Sequence, residues 1–194
     1  LSYKESLKIL KETNALLEGH FILSSGLHSN QYVQCAKLLS YPKKAMLICA
    51  SLTEKIKNSF NKIDIILSPA IGGIVVGYEI GRQLEVQTIF AERIDGKLTL
   101  RRGFAIPKES NVLIVEDVIT TGGSALECFQ IVKENKANLI GFACIIDRSD
   151  KKISIKDKIV SQIKFEFITY KESELPENLK KIAAIKPGSK ILSK

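Results

Sequence analysis

Two hydrophobic periods divide the chain. In "YKESLKILKETNALLEG" (3–19), Leu7, Leu10 and Leu17 recur at helical intervals, which predicts a helix that stops at Gly19. "HFILSSGLHSNQYVQ" (20–34) reads as a strand, a Ser-Gly turn and a second strand. "YPKKAMLICASLTEKIKN" (41–58) is an amphipathic helix with Pro42 near its first turn. Unbroken apolar runs then take over. "IDIILS" (63–68), "VQTIFAE" (86–92), "NVLIVED" (111–117) and "NLIGFACIIDRS" (138–149) are predicted strands. Between them "IVVGYEIGRQL" (74–84) and "TTGGSALECFQIVKEN" (120–135) are helices, the second read as capped by its leading hydroxyls. "RIDGKLTLRRGF" (93–104) is an exposed hairpin or loop. Residues 151–163 read as a polar loop, "IKFEFITY" (163–170) as a short strand, and the tail from Leu175 as a short helix with an irregular end.

Continuous apolar strands alternating with helices require a sheet buried on both faces. The expected class is therefore α/β, with a mostly parallel central sheet flanked by helices. With 194 residues the chain suits one domain. It divides into an N-terminal cap (1–40), an α/β core (41–170) and a C-terminal tail (171–194). No apolar run approaches the ~18 residues of a membrane span. Charges in the first twenty residues argue against a secretory leader. Cys35, Cys49, Cys128 and Cys144 lie far apart with no C-x-x-C pair, as expected of buried thiols in a reducing cytoplasm. His20 and His28 have no ligand partner at zinc spacing.

The net charge of +8 fits nucleic acid, an anionic substrate or a lysine-rich surface. No dense basic block interleaved with aromatics occurs, so nucleic acid is not expected as a partner. The arginines are more informative. Arg82, Arg93, Arg101, Arg102 and Arg148 are the only ones among 29 basic residues, and three of them fall within 93–102. Each marks a position where a permanent, fork-shaped charge is useful.

The densest chemistry is "VLIVEDVITTGGS" (112–124). An apolar strand delivers Glu116 and Asp117 to its carboxyl end, where ligands of open α/β sheets bind. Thr120, Thr121 and Ser124 supply hydroxyls, Gly122 and Gly123 permit a tight turn, and the next helix offers free N–H groups to a phosphate. Carboxylates beside a phosphate make sense when the ligand also presents hydroxyls or a divalent metal. A phosphorylated sugar has both parts. Neither a P-loop nor a dinucleotide fingerprint is present.

This stretch resembles the phosphoribosyl-diphosphate motif of the type I phosphoribosyltransferases at every position. The resemblance implies that Glu116 and Asp117 face the ribose diol, that Thr120, Thr121, Gly122, Gly123 and Ser124 hold the 5′-phosphate, and that Val118 and Ile119 belong to the same phosphoribosyl-diphosphate site. Four further segments, "GHFILSSGLHSNQYVQ", "SPAIGGIVVGYEIGRQL", "FAERIDGKLTLRRGF" and "IIDRSD", resemble the orotate phosphoribosyltransferases in order and spacing. By that resemblance Ser25, Gly26, Thr120 and Arg148 contact orotate, and Arg93 and Lys97 sit on a mobile loop that serves the diphosphate. Lys97, Arg93 and Asp117 are the implied catalytic residues, Mg2+ the implied cofactor, and a homodimer sharing the loop the implied assembly. The implied reaction transfers phosphoribosyl from phosphoribosyl diphosphate to orotate in pyrimidine synthesis. A transferase for another base, and a regulator that senses the sugar phosphate and binds nucleic acid, are the alternatives. Many members carry Lys where this chain has Ser24 and Gly72.

Overall fold

A computed structural model describes residues 1–23, 25–149, 154–165 and 167–187. In the core, α2 (Cys35–Leu39) and α3 (Pro42–Lys57) lead into β3 (Ile65–Pro69), α4 (Gly72–Leu84) and β4 (Gln87–Ile94). A return strand β5 (Lys97–Leu100) follows, then β6 (Asn111–Ile119), α5 (Gly123–Glu134), β7 (Asn138–Asp147) and β8 (Ile159–Lys164). These strands form one six-stranded sheet in the order β5-β4-β3-β6-β7-β8. All its pairs are parallel except β4 with β5.

Alternation along the central strands splits the core between the two faces. Ile66, Leu113 and Val115 pack with Ile48 and Leu52 of α3 and with Val76 and Ile80 of α4. Ile65, Leu67, Val112 and Ile114 pack with Ala125, Cys128 and Val132 of α5. Period-two burial in a strand covered on both sides is what an unbroken apolar run produces. The chain leaves β3 toward β4 on one side and later continues from β6 toward β7 on the other. The junction between the carboxyl ends of β3 and β6 is thus a topological switch point, the place where such sheets bind ligands.

The N-terminal part differs from its sequence pattern. The first helix, α1 (Tyr3–Glu12), ends seven residues before Gly19, and β1 (Leu16–Ile22) takes over. Asn14 is left-handed at φ 53° and turns the chain, while Leu16 pairs with Val33 of β2 (His28–Val33). Leu16 and Leu17 satisfy a helical period as well as a strand, and pairing with β2 decides. Together with β9 (Thr169–Tyr170) these strands make a small antiparallel sheet, β1-β2-β9, which forms a hood. Ile185, past the short α6 (Glu177–Lys180), bridges to Phe21 on the other edge of β1. Two buried histidines lock the hood: His20 Nε2 and His28 Nδ1 are 2.7 Å apart, and His20 Nδ1 lies 2.9 Å from the Ile182 carbonyl.

At the far end, the expected strand over 163–170 is two elements. β8 begins earlier, at Ile159, within the expected polar loop, and ends at Lys164; β9 belongs to the hood. The segment between them therefore crosses from core to hood. Residue 150, residues 151–153 of that loop, and the tail end from 188 lie outside the described residues.

Candidate active site

Both walls of the switch point are built from backbone turns. On the β3 side the chain passes Pro69, a cis Ala70–Ile71 bond and Gly72 into α4. On the β6 side, Glu116 and Asp117 are followed by Val118 and Ile119, which stay in the strand opposite Ile146 and Asp147. Ile119 is buried in the core, so only its backbone is available to a ligand. Thr120, Thr121 and Gly123 are exposed and Ser124 half-buried. Gly122 is left-handed at φ 77°, the conformation that costs a glycine least. It also serves as N-cap of α5, and no side chain caps that helix. The expected hydroxyl cap is absent because Gly122, not a threonine or serine, occupies the cap position. The first-turn N–H groups are left to bind an anion.

The two acids are adjacent, and neither enters an ion pair among the described residues. Glu116 is 8% exposed, and burial, reinforced by the charge of Asp117, pushes its pKa up to about 8. Burial also raises Asp117, opposed by hydrogen bonds from its own N–H and that of Val118. Gly72 lies directly against this carboxylate: a Cβ there would stand 2.7 Å from Asp117 Oδ1. Position 72 is therefore where the β3 turn meets the β6 acids.

Arg148 reaches the same place from β7. Its N–H donates to the Ile119 carbonyl at 2.8 Å, which seats its backbone beside the start of the 120–124 turn. Asp147 does not hold its side chain; Asp147 pairs with Lys164 at 3.6 Å and accepts from Ser149 N–H at 2.8 Å. Asp150, the other acid nearby in sequence, lies outside the described residues, as does Ser24. The guanidinium stacks 4.0 Å from the centroid of Phe167. Ser25 and Gly26 form the β1–β2 turn, with Gly26 N–H donating to Leu23 O at 2.9 Å. Nothing in the pattern of "FEFITY" singled out Phe167; the two aromatics flanking Glu166 were its only signal.

The cationic segment is a tight hairpin rather than a long loop. Asp95 and Gly96, both with positive φ, turn β4 into β5. Arg93 donates to the Glu127 carboxylate of α5 with both terminal nitrogens, at 3.1 and 2.8 Å, and also to the Gly96 carbonyl. Glu127 further accepts the Leu98 N–H, so one acid pins the hairpin to the helix. Arg102 is similarly paired with Glu92 at 2.8 Å. Among the described residues, Lys97 and Arg101 enter no such pair. Lys97 borders a groove of about 700 Å³ between β5 and α5.

Comparison with known proteins fits this geometry. The family model described as "Phosphoribosyl transferase domain" matches residues 39–174. The chain is 46% identical over 184 residues to the orotate phosphoribosyltransferase of Caldicellulosiruptor bescii, covering 95% of this chain and 96% of that one. It is also 46% identical over 190 residues to that of Chlorobaculum parvum, covering 98% and 97%. Among solved structures, the orotate phosphoribosyltransferase from Aeropyrum pernix superposes with a TM-score of 0.70 at 22% identity, over 82% of this chain and 93% of that one. An adenine phosphoribosyltransferase from Saccharomyces cerevisiae superposes with a TM-score of 0.65 at 19% identity, over 81% and 99%, so the fold alone does not choose the base. The sequence relatives do choose, and the chain belongs to the orotate phosphoribosyltransferase family.

Proposed function

We propose that this protein transfers the phosphoribosyl group of phosphoribosyl diphosphate to orotate, giving orotidine 5′-monophosphate and diphosphate for pyrimidine synthesis. The observation that carries the reading is the convergence at the switch point. The acids and an uncapped helix N-terminus stand at the carboxyl end of β6, and Arg148 follows the end of the neighbouring β7, its N–H bonded to the Ile119 carbonyl.

Each part has a chemical task. The turn 120–124 holds the 5′-phosphate with hydroxyls and α5 N–H groups. Glu116 and Asp117 accept hydrogen bonds from the ribose diol and stabilise the positive charge that grows on the sugar as its C1–diphosphate bond breaks. Arg148, with Ser25 and Gly26 of the hood turn and Thr120, binds the anionic base. Lys97 and Arg93 serve the departing diphosphate, whose negative charge rises in the transition state. Arg93 must first exchange Glu127 for it, whereas Lys97 and Arg101 need no exchange. Cations brought there lower that barrier by offsetting the negative charge as it grows.

Mg2+ fits the donor set. Among the described residues no cluster of three His, Cys, Asp or Glu side chains suits a metal, but Glu116 and Asp117 are two acids without a cation. Hard divalent ions bind one or two carboxylates and take their remaining oxygens from substrate phosphates. Bound with the substrate, Mg2+ would neutralise diphosphate charge beside these acids.

A homodimer completes the reading. Ile71, the N-cap of α4, and Val75 and Tyr78 within it follow one another at helical spacing and are 84%, 50% and 65% exposed, an apolar surface that a second copy would cover. The exposed hairpin then serves the partner's site. No helix among the described residues is long and apolar enough to cross a membrane.

Loss of orotate absorbance with phosphoribosyl diphosphate and Mg2+ tests the reaction, with uracil and hypoxanthine as comparison bases. Consumption of orotate alone is expected. Consumption of another base would discard the assignment of Arg148, Ser25 and Gly26.

A further inference from the structure

Arg148 is a half-buried cation set against an aromatic ring. Its Nε is buried and has no hydrogen-bond partner among the described residues. Burial also pulls its pKa below the usual guanidinium value, so the charge is partly stripped of water before any ligand arrives. What the side chain does have is the face of Phe167, 4.0 Å from the guanidinium carbon.

Phe167 occupies a joint in the fold. It lies between β8 and β9, where the chain leaves the core sheet for the hood. On one side of it Phe165 N–H donates to the Asp147 carbonyl at 2.8 Å, the residue before Arg148. On the other side Thr169 pairs with Ser29 of β2. The ring leans on Phe165, 5.4 Å away, and Phe165 is buried in the core. The position of Phe167 is thus set from both the core and the hood.

A guanidinium carries all its N–H donors in its plane. Contact with the ring covers a face and consumes no donor, so the two terminal nitrogens keep their N–H groups for a ligand. Stacking also restricts the last torsions of a flexible side chain, and less freedom is then lost when a planar acceptor binds two-pronged. A leucine would fill similar space without the ring's negative face, which is what attracts the cation.

We propose that Phe167 is a positioning residue for the base: stacked on Arg148, it holds the guanidinium plane so that its donor edge meets the carboxylate of orotate. The proposal rests on the reading that Arg148 binds orotate. It assigns part of the discrimination against uracil, which lacks the carboxylate, to a side chain that makes no hydrogen bond.

Steady-state kinetics of Phe167→Leu, Phe167→Tyr, Arg148→Ala and the double variant Phe167→Leu/Arg148→Ala test it. Phe167→Leu should raise the KM for orotate about tenfold and leave the KM for phosphoribosyl diphosphate within about twofold. Phe167→Tyr keeps the ring and should restore the wild-type orotate KM. Arg148→Ala should raise the orotate KM further, and adding Phe167→Leu to it should change nothing more, since the ring acts through the arginine. Phe167→Met, ringless and similar in volume, provides the same comparison should the leucine variant not fold. A ring that only fills space would shift both KM values together or add its effect to that of Arg148→Ala; either result overturns the proposal. Wild-type protein that ignores orotate would remove the reading and this proposal together. Wild-type turnover of orotate with an unchanged orotate KM in both ringless variants would remove this proposal alone.

Discussion

Replacing Glu116 with glutamine should alter how stability depends on pH. Glu116 titrates near 4.5 in an unfolded chain and at about 8 in the folded protein, because it is buried beside Asp117. An acid raised by folding keeps its proton longer in the folded state than in the unfolded one. Over that window the folded state binds more protons, so stability falls as pH rises from about 4.5 to about 8. Each pH unit within the window costs about 1.4 kcal/mol from this one group. Between about pH 6 and pH 8 the wild type should therefore lose about 2 kcal/mol through Glu116. Glu116→Gln is neutral throughout and nearly isosteric, so it should lack this loss and become the more stable protein at the alkaline end.

Urea unfolding at about pH 6, 7 and 8, without ligand, reads the difference as diverging midpoints at equal m-values. Asp117 adds loss of the same sign, since burial raises it too, and it leaves a residual slope in the variant. Parallel midpoints for wild type and variant across that range would refute the reasoning. Glu116 would then be ionised in the folded state, compensated by something other than its described neighbours.

Three further outcomes are expected. Gly72→Ala places a Cβ 2.7 Å from Asp117 Oδ1 and should cut turnover about tenfold or more by displacing that carboxylate, with a smaller change in thermal midpoint; an unchanged kcat would show that the acid does not need its place over the β3 turn. Lys97→Ala should lower kcat more than it raises the orotate KM, and mixing its subunits with inactive Asp117→Asn subunits should recover activity if the hairpin serves the partner; no recovery after demonstrated subunit exchange would make each chain self-sufficient. Gly77→Ala brings a Cβ to 2.1 Å from Ser68 Oγ and 3.1 Å from its Cβ in a fully buried contact between α4 and β3, so chemical denaturation should show a loss of about 1–3 kcal/mol, and wild-type stability would mean the strand yields freely.

What could be read from sequence follows the range of the interactions involved. β3, β6 and β7 were legible because strands buried on both faces are apolar along most of their length, and the strand-turn-helix unit that carries the candidate phosphate turn was legible because it lies within 112–124. Boundaries were lost where two patterns fitted. Leu16 and Leu17 suit a helix until the left-handed turn at Asn14 and the pairing with Val33 are known. The strand over 163–170 appeared continuous because hydrophobic period cannot reveal that Lys164 and Thr169 belong to different sheets. Partners far apart in the chain were invisible for the same reason. Arg93 and Glu127 are 34 positions apart, and only the hairpin's docking on α5 joins them.

The glycine at 72 and the protonation of Glu116 have a common origin. A lysine at 72 would place a cation at the acids and favour their ionised forms. The glycine instead lets the Asp117 carboxylate lie over the β3 turn, leaving the pair without a cation among the described residues. Two buried carboxylates with no counter-charge do not both ionise readily, and Glu116 holds its proton to about pH 8. The empty site is thereby less negative at neutral pH. Binding a diol and a divalent ion then favours the ionised pair, so substrate should enter with release of a proton. Because binding releases that proton, substrate affinity should rise with pH toward about 8, and a flat profile would show that Glu116 is already ionised in the empty site.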